Sequence, residues 1–388
     1  MKRIEKASCS LVLGVFFAIQ GIAVGQDQKD AGLEAGKIGD VSTRGVLPLS
    51  VEERAALAKI VAESPEAAAL YERKLREARQ LQGVQPDPIA VIQYEGLVHT
   101  DPRRIATVEH LEDMDRAALL LEAWQVNGDP DLARQARRYV LAWAETYEPT
   151  GNDVNENKLY PLMVIHEAMR ADFEPEEQEK IDAWLTDLAR RQLEQGRNPN
   201  ARRSNRHTKR LRIVATIGLA LDRQEWLDLA WADFEVFVEH QLYPDGKSFD
   251  LEHRDTLTYH TSALRPLVDL AVLAARDGRD LYSWTSPTGS SLKKSVDYVV
   301  PYADGTKRRR EWINSKVGLD HRRAEAGLEE YRPGRYFDPK YARRILEESA
   351  YFDPGLMPLV IRLAESDAEQ YPTWRTVLND ACRMAAER

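Results

Sequence analysis

Cysteine is nearly absent: the 388 residues hold two, Cys9 and Cys382. Only Cys382 survives if the N-terminal segment is removed, and one thiol makes no internal disulfide, so the fold must rest on its core. Long apolar runs are missing beyond one stretch from about Leu11 to Val24, which is shorter than the ~20 residues a membrane span needs. Excess positive charge is also lacking, with 54 Lys and Arg against 63 Asp and Glu and a net charge of −9. That balance argues against nonspecific nucleic-acid binding, which depends on dense cations. It leaves an anionic polymer open as a ligand, because a local basic groove focuses the field whatever the total charge. The sequence has no HExxH, no Cys/His zinc spacing, no GxSxG turn and no glycine-rich phosphate loop. Neither a metal nor a cofactor is therefore expected.

What the sequence does have begins at its first residues. Lys2, Arg3 and Lys6 precede the short apolar run, and Ala23-Val24-Gly25 offers a small-residue exit. That order predicts a secretory signal over 1–25 and a periplasmic or secreted protein, with no membrane segment after signal removal. Residues 26–47 are polar and aperiodic and read as a flexible leader. About 360 residues remain, enough for one large domain, and no clean boundary divides 48–388.

Helical patterning dominates that stretch. In Glu176 to Glu194, Ile181, Trp184, Leu185 and Leu188 fall at helical spacing behind Pro175. Thr107 to Trp124 repeats the pattern, and similar segments recur at about 51–81, 131–147, 157–171, 209–221, 225–241, 265–277, 290–300, 341–349 and 355–367. Alternating strands are not evident. Antiparallel helix pairs can stack as a solenoid or close into a toroid, and the missing repeat period favours the toroid. The expected fold is all-α, a single α/α toroid.

Four constellations could carry chemistry. Residues 197–212 contain Arg197, Arg202, Arg203, Arg206, Lys209, Arg210 and Arg212 with no acid, and Asn205 and His207 sit within them. Cations around a histidine push it toward the unprotonated form that a general base requires. A second group runs from Asp245-Gly246 through Glu252-His253-Arg254 to Tyr259-His260, with Pro266 expected to keep Arg254 and Tyr259 on a rim rather than inside a helix. For His253 and His260, ordinary packing is the favoured reading. The loop Thr150 to Lys158 offers Asn152, Asn155 and Lys158 to sugar hydroxyls and carboxylates, although such loops also simply cap helices. The fourth, Glu311 to Lys316 with Trp312, is flanked by Lys307 to Arg310 and by His321-Arg322-Arg323. It suits a polyanion, and it also suits an ordinary surface.

These residues carry a resemblance. Thr-Gly-Asn-x-x-Asn at 150–155, the Asn205 to His207 segment, and Glu252-x-Arg254 followed by Tyr259-His260-x-x-Ala263-Leu264 resemble, in this order, the alginate-lyase domain superfamily of α/α-toroid polysaccharide lyases. The likeness spans roughly 100–330 and looks closer to the glucuronan and alginate lyase branch, polysaccharide lyase family thirty-eight. One departure stands out: relatives place an Asn directly before the His, whereas here Arg206 intervenes. The resemblance implies β-elimination on a uronic-acid polymer without a cofactor. Arg254 and Asn205 would hold the uronate carboxylate. Tyr259 would act as acid, and as base where proton and leaving group share a face, with His207 as base for the opposite-face epimer. Asn152, Asn155, Lys158, Arg206, Lys209, His260, Trp312 and Lys316 would contact the anionic polysaccharide. A two-carboxylate glycoside hydrolase and a noncatalytic exported polysaccharide-binding protein remain the alternatives.

Overall fold

A computed structural model describes residues 46–366 and 372–387. The expected signal and nearly all of the expected leader lie outside the described residues. Eighteen α-helices follow one another within them. They are α1 Val51–Glu63, α2 Pro65–Gln80, α3 Pro102–His110, α4 Glu112–Asn127, α5 Pro130–Thr146 and α6 Asp153–Glu156. Next come α7 Tyr160–Met169, α8 Pro175–Gly196, α9 Asn205–Ala220, α10 Gln224–Gln241, α11 Phe249–Arg254 and α12 Leu257–Arg276. The last six are α13 Leu292–Asp297, α14 Val300–Ala303, α15 Gly318–Glu325, α16 Lys340–Ser349, α17 Met357–Ser366 and α18 Trp374–Ala386.

Local chemistry sets the boundaries. Ser50 caps α1 through a reciprocal box with Glu53. Pro65 splits the helix expected over 51–81, because it lacks the N–H to continue α1 but is preset to open α2 behind the Ser64 cap. Gly128, at φ 66°, ends α4 in the left-handed conformation, and Asp129-Pro130 opens α5 at once.

Packing closes these helices into a ring. α4 packs on α7, α7 on α9, α9 on α12, α12 on α16, α16 on α18, α18 on α1, and α1 back on α4. Outside the ring, α2, α5, α8 and α10 each cover a ring helix next to them in sequence, and short turns make such neighbours antiparallel. The architecture is an all-α, closed α/α toroid. Ring helix α7 is buried all round from Tyr160 to His166, whereas outer α2 buries only Ala67 and Ala78. Between ring helices, Asp269 of α12 pairs with Arg212 of α9 at 2.9 Å and with Arg375 of α18 at 3.0 Å. Mutual pairing is what makes burial of these charges tolerable.

Two expectations change here. Val46 and Leu47, the end of the expected leader, are buried, and the Leu47 carbonyl accepts from Gln125 at 2.9 Å. The packed chain thus begins by Val46 rather than at 48. Pro266 does not stop a helix either, since α12 runs through it from Leu257. The helix start is fixed upstream, where Thr256 Oγ1 accepts from Thr258 N at 3.1 Å and Glu311 accepts from Leu257 N at 2.7 Å. Burial of most of α12 offsets the ~3 kcal/mol that an internal proline costs.

Candidate active site

Asp255 ends α11 at φ 54° and turns the chain into α12, a conformation that Asp tolerates better than most residues. Its carboxylate accepts from Asn314 N at 2.9 Å and pairs with Arg309, and its carbonyl accepts from Trp312 N at 2.9 Å. Lys316 N donates to the His253 carbonyl at 2.9 Å. Together with Glu311, these bonds clamp residues 309–316 onto the turn that separates Arg254 from Tyr259.

Tyr259 therefore stands in the first turn of α12, half-buried, with cations on two sides. The Arg254 guanidinium carbon lies 3.3 Å from the centroid of its ring. One nitrogen of Arg323, on α15, donates to Tyr259 Oη at 3.1 Å and to Tyr331 Oη at 2.8 Å, and the two phenol oxygens are 3.5 Å apart. Trp312 meets the Tyr259 ring edge-on at 5.9 Å and the Tyr331 ring at 4.9 Å. Asp320 grips Arg254 through two guanidinium nitrogens, one at 3.0 Å, and itself accepts from Ser315 Oγ at 2.7 Å. Burial opposes the charge on Arg254, but Tyr259 and Asp320 outweigh it and hold its pKa above the usual value. Burial, and then the neighbouring Tyr259, push the Tyr331 pKa well up, keeping that phenol a proton donor.

A second set of groups opens α9. Asp250, fully buried on α11, accepts from Asn205 N and from Asn205 Nδ2, both at 2.7 Å. Lys209 Nζ donates to Asn205 Oδ1 at 2.9 Å and reaches Ser262 Oγ at 3.5 Å. Ser262 is three residues beyond Tyr259 and so lies on the same side of α12. Asn205, Lys209 and Tyr259 thereby share the α9–α12 seam. Burial raises the Asp250 pKa to about 6 against the pull of its two Asn205 bonds.

Other expected residues go elsewhere. His207 follows Asn205 by two positions, about 200° around the helix, and faces α10. Its Nε2 is 3.7 Å from Asp233, its Nδ1 is 3.4 Å from Arg210, and its ring lies 6.0 Å from that of Phe237. Burial, then Arg210 and Arg202, pull its pKa down to about 3. Burial, more than the surrounding cations, thus favours the neutral ring, which is turned away from Asn205 and Lys209. His260 is wholly buried, with Nδ1 at 2.8 Å from Ser248 Oγ and Nε2 at 3.0 Å from the Ser295 carbonyl. It packs the core and offers no ring nitrogen to a substrate. Asn155 spends both ends of its amide on the backbone of Ile92 and Glu95, at 2.7 and 2.9 Å, and Asn152 caps α6. Lys158 is buried with Nζ 4.5 Å from the Tyr94 ring centroid. The 150–158 loop is in this respect a structural joint, and Gly151 at φ 78° runs so close to α8 that an added Cβ would stand only 3.1 Å from the Arg191 carbonyl oxygen. Arg206 bonds Asp153 at 2.8 Å. Trp312 is buried against the Tyr259 and Tyr331 rings, and Lys316 is exposed.

The residue pattern did not single out Arg323, Tyr331, Asp320 or Asp250. Arg323 lies in a basic segment that was visible, while Tyr331 and the two aspartates carry no sequence signal of their own. Near the tyrosine, the carboxylates of Asp250, Glu311 and Asp320 are each engaged by donors. A cavity of about 270 Å³ lined by Gly218, Trp231 and Arg276 lies at the far end of α9, roughly 20 Å along the helix from Asn205.

Comparison with known proteins agrees with the ring and with lyase activity. A family model described as alginate lyase matches residues 60–309. A polysaccharide lyase from Stenotrophomonas maltophilia (strain K279a) is 29% identical over 237 residues, covering 56% of this chain and 69% of that protein. An alginate lyase from Bacteroides ovatus superposes with a TM-score of 0.60 at 17% identity, over 87% of this chain and 99% of its own. Alginate lyase A1-III from Sphingomonas species A1 superposes at 0.56 and 17%, over 78% and 87%. These two structures share the fold, and the family match extends through the Asn205, Arg254 and Tyr259 segments: the chain belongs to the alginate lyase family and is a polysaccharide lyase.

Proposed function

We propose that this lyase cleaves a polymer of mannuronate or glucuronate by β-elimination, with Tyr259 moving the proton. The observation that carries the reading is the Tyr259 hydroxyl, bonded to Arg323 and Tyr331 while Arg254 covers the ring. The uronate carboxylate is held by Arg254 and by the Asn205–Lys209 pair, and that neutralisation acidifies the C5 proton. Tyr259, as its oxyanion, takes the C5 proton; the C4–C5 double bond forms as the C4–O bond breaks, and Tyr259 returns the proton to the departing oxygen. Arg323 faces the phenol oxygen and stabilises its charge through the cycle.

Substrate choice follows from the number of bases. One tyrosine serving as base and acid requires the C5 proton and the C4 oxygen on the same face, as in D-mannuronate and D-glucuronate. Guluronate puts them on opposite faces and needs a second base, and His207 faces α10. Such polymers lie outside the cytoplasm, so export directed by residues 1–25 belongs to the same reading.

The test is incubation with mannuronan, glucuronan and guluronan, following ultraviolet absorbance of the new double bond alongside new reducing ends. Absorbance rising with ends on the first two polymers is the expected result. New ends without absorbance would mean hydrolysis, and neither signal would mean binding alone.

A further inference from the structure

Many guanidinium groups in this acidic protein lie within ion-pair distance of a carboxylate, whereas four cations gathered in one place do not. Lys307, Arg308 and Arg310 follow one another just before Glu311, and Arg335 lies across from them, joined by the antiparallel bridge between Arg310 and Tyr336. The bridge is secured on both sides, with Glu311 N donating to the Arg335 carbonyl at 2.8 Å and Phe337 N to the Arg309 carbonyl at 2.9 Å. Tyr336 is 42% exposed, a rare state for a large aromatic here. The guanidinium carbons of Arg308 and Arg310 lie 4.0 and 4.8 Å from its ring centroid. Arg335 lies 5.7 Å from the Tyr341 ring. Among the described residues, none of these four cations is within ion-pair distance of a carboxylate, whereas nearby Arg309, Arg332 and Lys340 pair with Asp255, Glu329 and Asp338.

We propose that this strip is a second binding site for the polyuronate chain, outside the Tyr259 cluster. Repulsion between gathered cations is tolerated when a polyanion repeatedly neutralises them, and stacking on Tyr336 and Tyr341 holds the guanidinium planes in place. An exposed aromatic between the cations adds an apolar face for a sugar ring. The strip is tied to the catalytic turn: Arg308 is four residues from Trp312, at most roughly 14 Å along an extended chain, and the Arg309–Asp255 pair fixes that segment beside Arg254. One polymer strand can therefore lie on both, and the strip serves long chains while leaving short oligosaccharides to the cleft. This reading rests on the proposed polyuronate substrate.

The test separates binding from turnover. Retention in native gels containing mannuronan or glucuronan is measured for Tyr259→Phe alone and for Tyr259→Phe with K307Q, R308Q, R310Q and R335Q together, with melting temperatures to confirm folding. The four substitutions should weaken retention about tenfold, as four exposed ionic contacts allow. In the active background they should raise KM for long polymer by a similar factor while leaving kcat and KM on the shortest cleaved oligosaccharide unchanged. A double variant, R308Q with R310Q, should give a partial effect if the fourfold change unfolds the chain. Unchanged retention and unchanged KM on long polymer overturn the strip, as does equal loss of retention in gels cast with DNA, which marks a nonselective patch. If the protein cuts no polyuronate but the strip still governs retention, the catalytic reading fails and the strip stands.

Discussion

Arg323 donates to the hydroxyl of Tyr259 at 3.1 Å from a helix more than sixty residues further along the chain. The same nitrogen holds Tyr331 at 2.8 Å, so the phenol oxygen of Tyr259 is fixed in place before any substrate arrives. A donor already aimed at the atom that gains charge needs no reorganisation during reaction.

The first prediction concerns that donor. Arg323→Gln should lower kcat roughly 10²-fold while changing KM by less than about threefold, the pattern of a group acting in the transition state. Arg323→Lys should recover part of the loss, because a cation remains. Steady-state kinetics on mannuronan or glucuronan decide it, and a loss confined to KM would assign Arg323 to substrate binding instead.

Asp320 holds Arg254 through two guanidinium nitrogens. Asp320→Asn leaves a largely buried guanidinium without its counter-charge, which costs on the order of 3 kcal/mol of stability. It should also loosen the guanidinium proposed to receive the uronate carboxylate, raising KM about tenfold or more. Chemical denaturation and kinetics on the same preparation check both effects.

Much of the fold was legible in the sequence, because Pro, Gly and Ser/Asp punctuation at 64–65 and 128–130 acts locally. Pro266 misled because its penalty is local while the burial that outweighs it is tertiary. The site was legible where the motif itself carries geometry: Arg254 and Tyr259 flank one turn. The direction of His207 was not legible, because a basic stretch says which residues are near in sequence but not which side of a helix they face. Two positions of offset from Asn205 turn a side chain to the other wall. Tyr331 and Asp320 meet Tyr259 and Arg254 only through long-range packing, which no local pattern records.

His207 should prove dispensable for chemistry but visible in the pH dependence of stability. His207→Gln is expected to retain kcat within about threefold. Its folded pKa, about 3, lies below the unfolded value near 6.5. Between these values the unfolded chain binds the proton and the native chain does not, so stability rises with pH through this window and is lost as pH falls below about 6.5. Relative to His207→Gln, the wild type should lose on the order of 3 kcal/mol between pH 6.5 and pH 4. Parallel denaturation curves for the two proteins across that range would contradict the buried neutral imidazole.

Epimer selectivity gives a further check. With one base, kcat/KM on mannuronan or glucuronan should exceed that on guluronan by roughly 10²-fold, the scale of a general-base contribution. Equal rates on both epimers would require a second base that the Tyr259 cluster does not contain.

The most direct measurement is the rate of unsaturated-product formation by Tyr259→Phe on the polymer the wild type cleaves fastest. The hydroxyl is removed while the ring beneath Arg254 and against the edge of Trp312 stays, so melting temperature and polymer retention should match the wild type closely. Absorbance from the new double bond should fall by about 10³-fold or more, since one atom supplies both proton transfers. A folded, polymer-binding Tyr259→Phe protein that forms unsaturated ends at near wild-type rate would contradict the assignment of Tyr259 as the group that moves the proton.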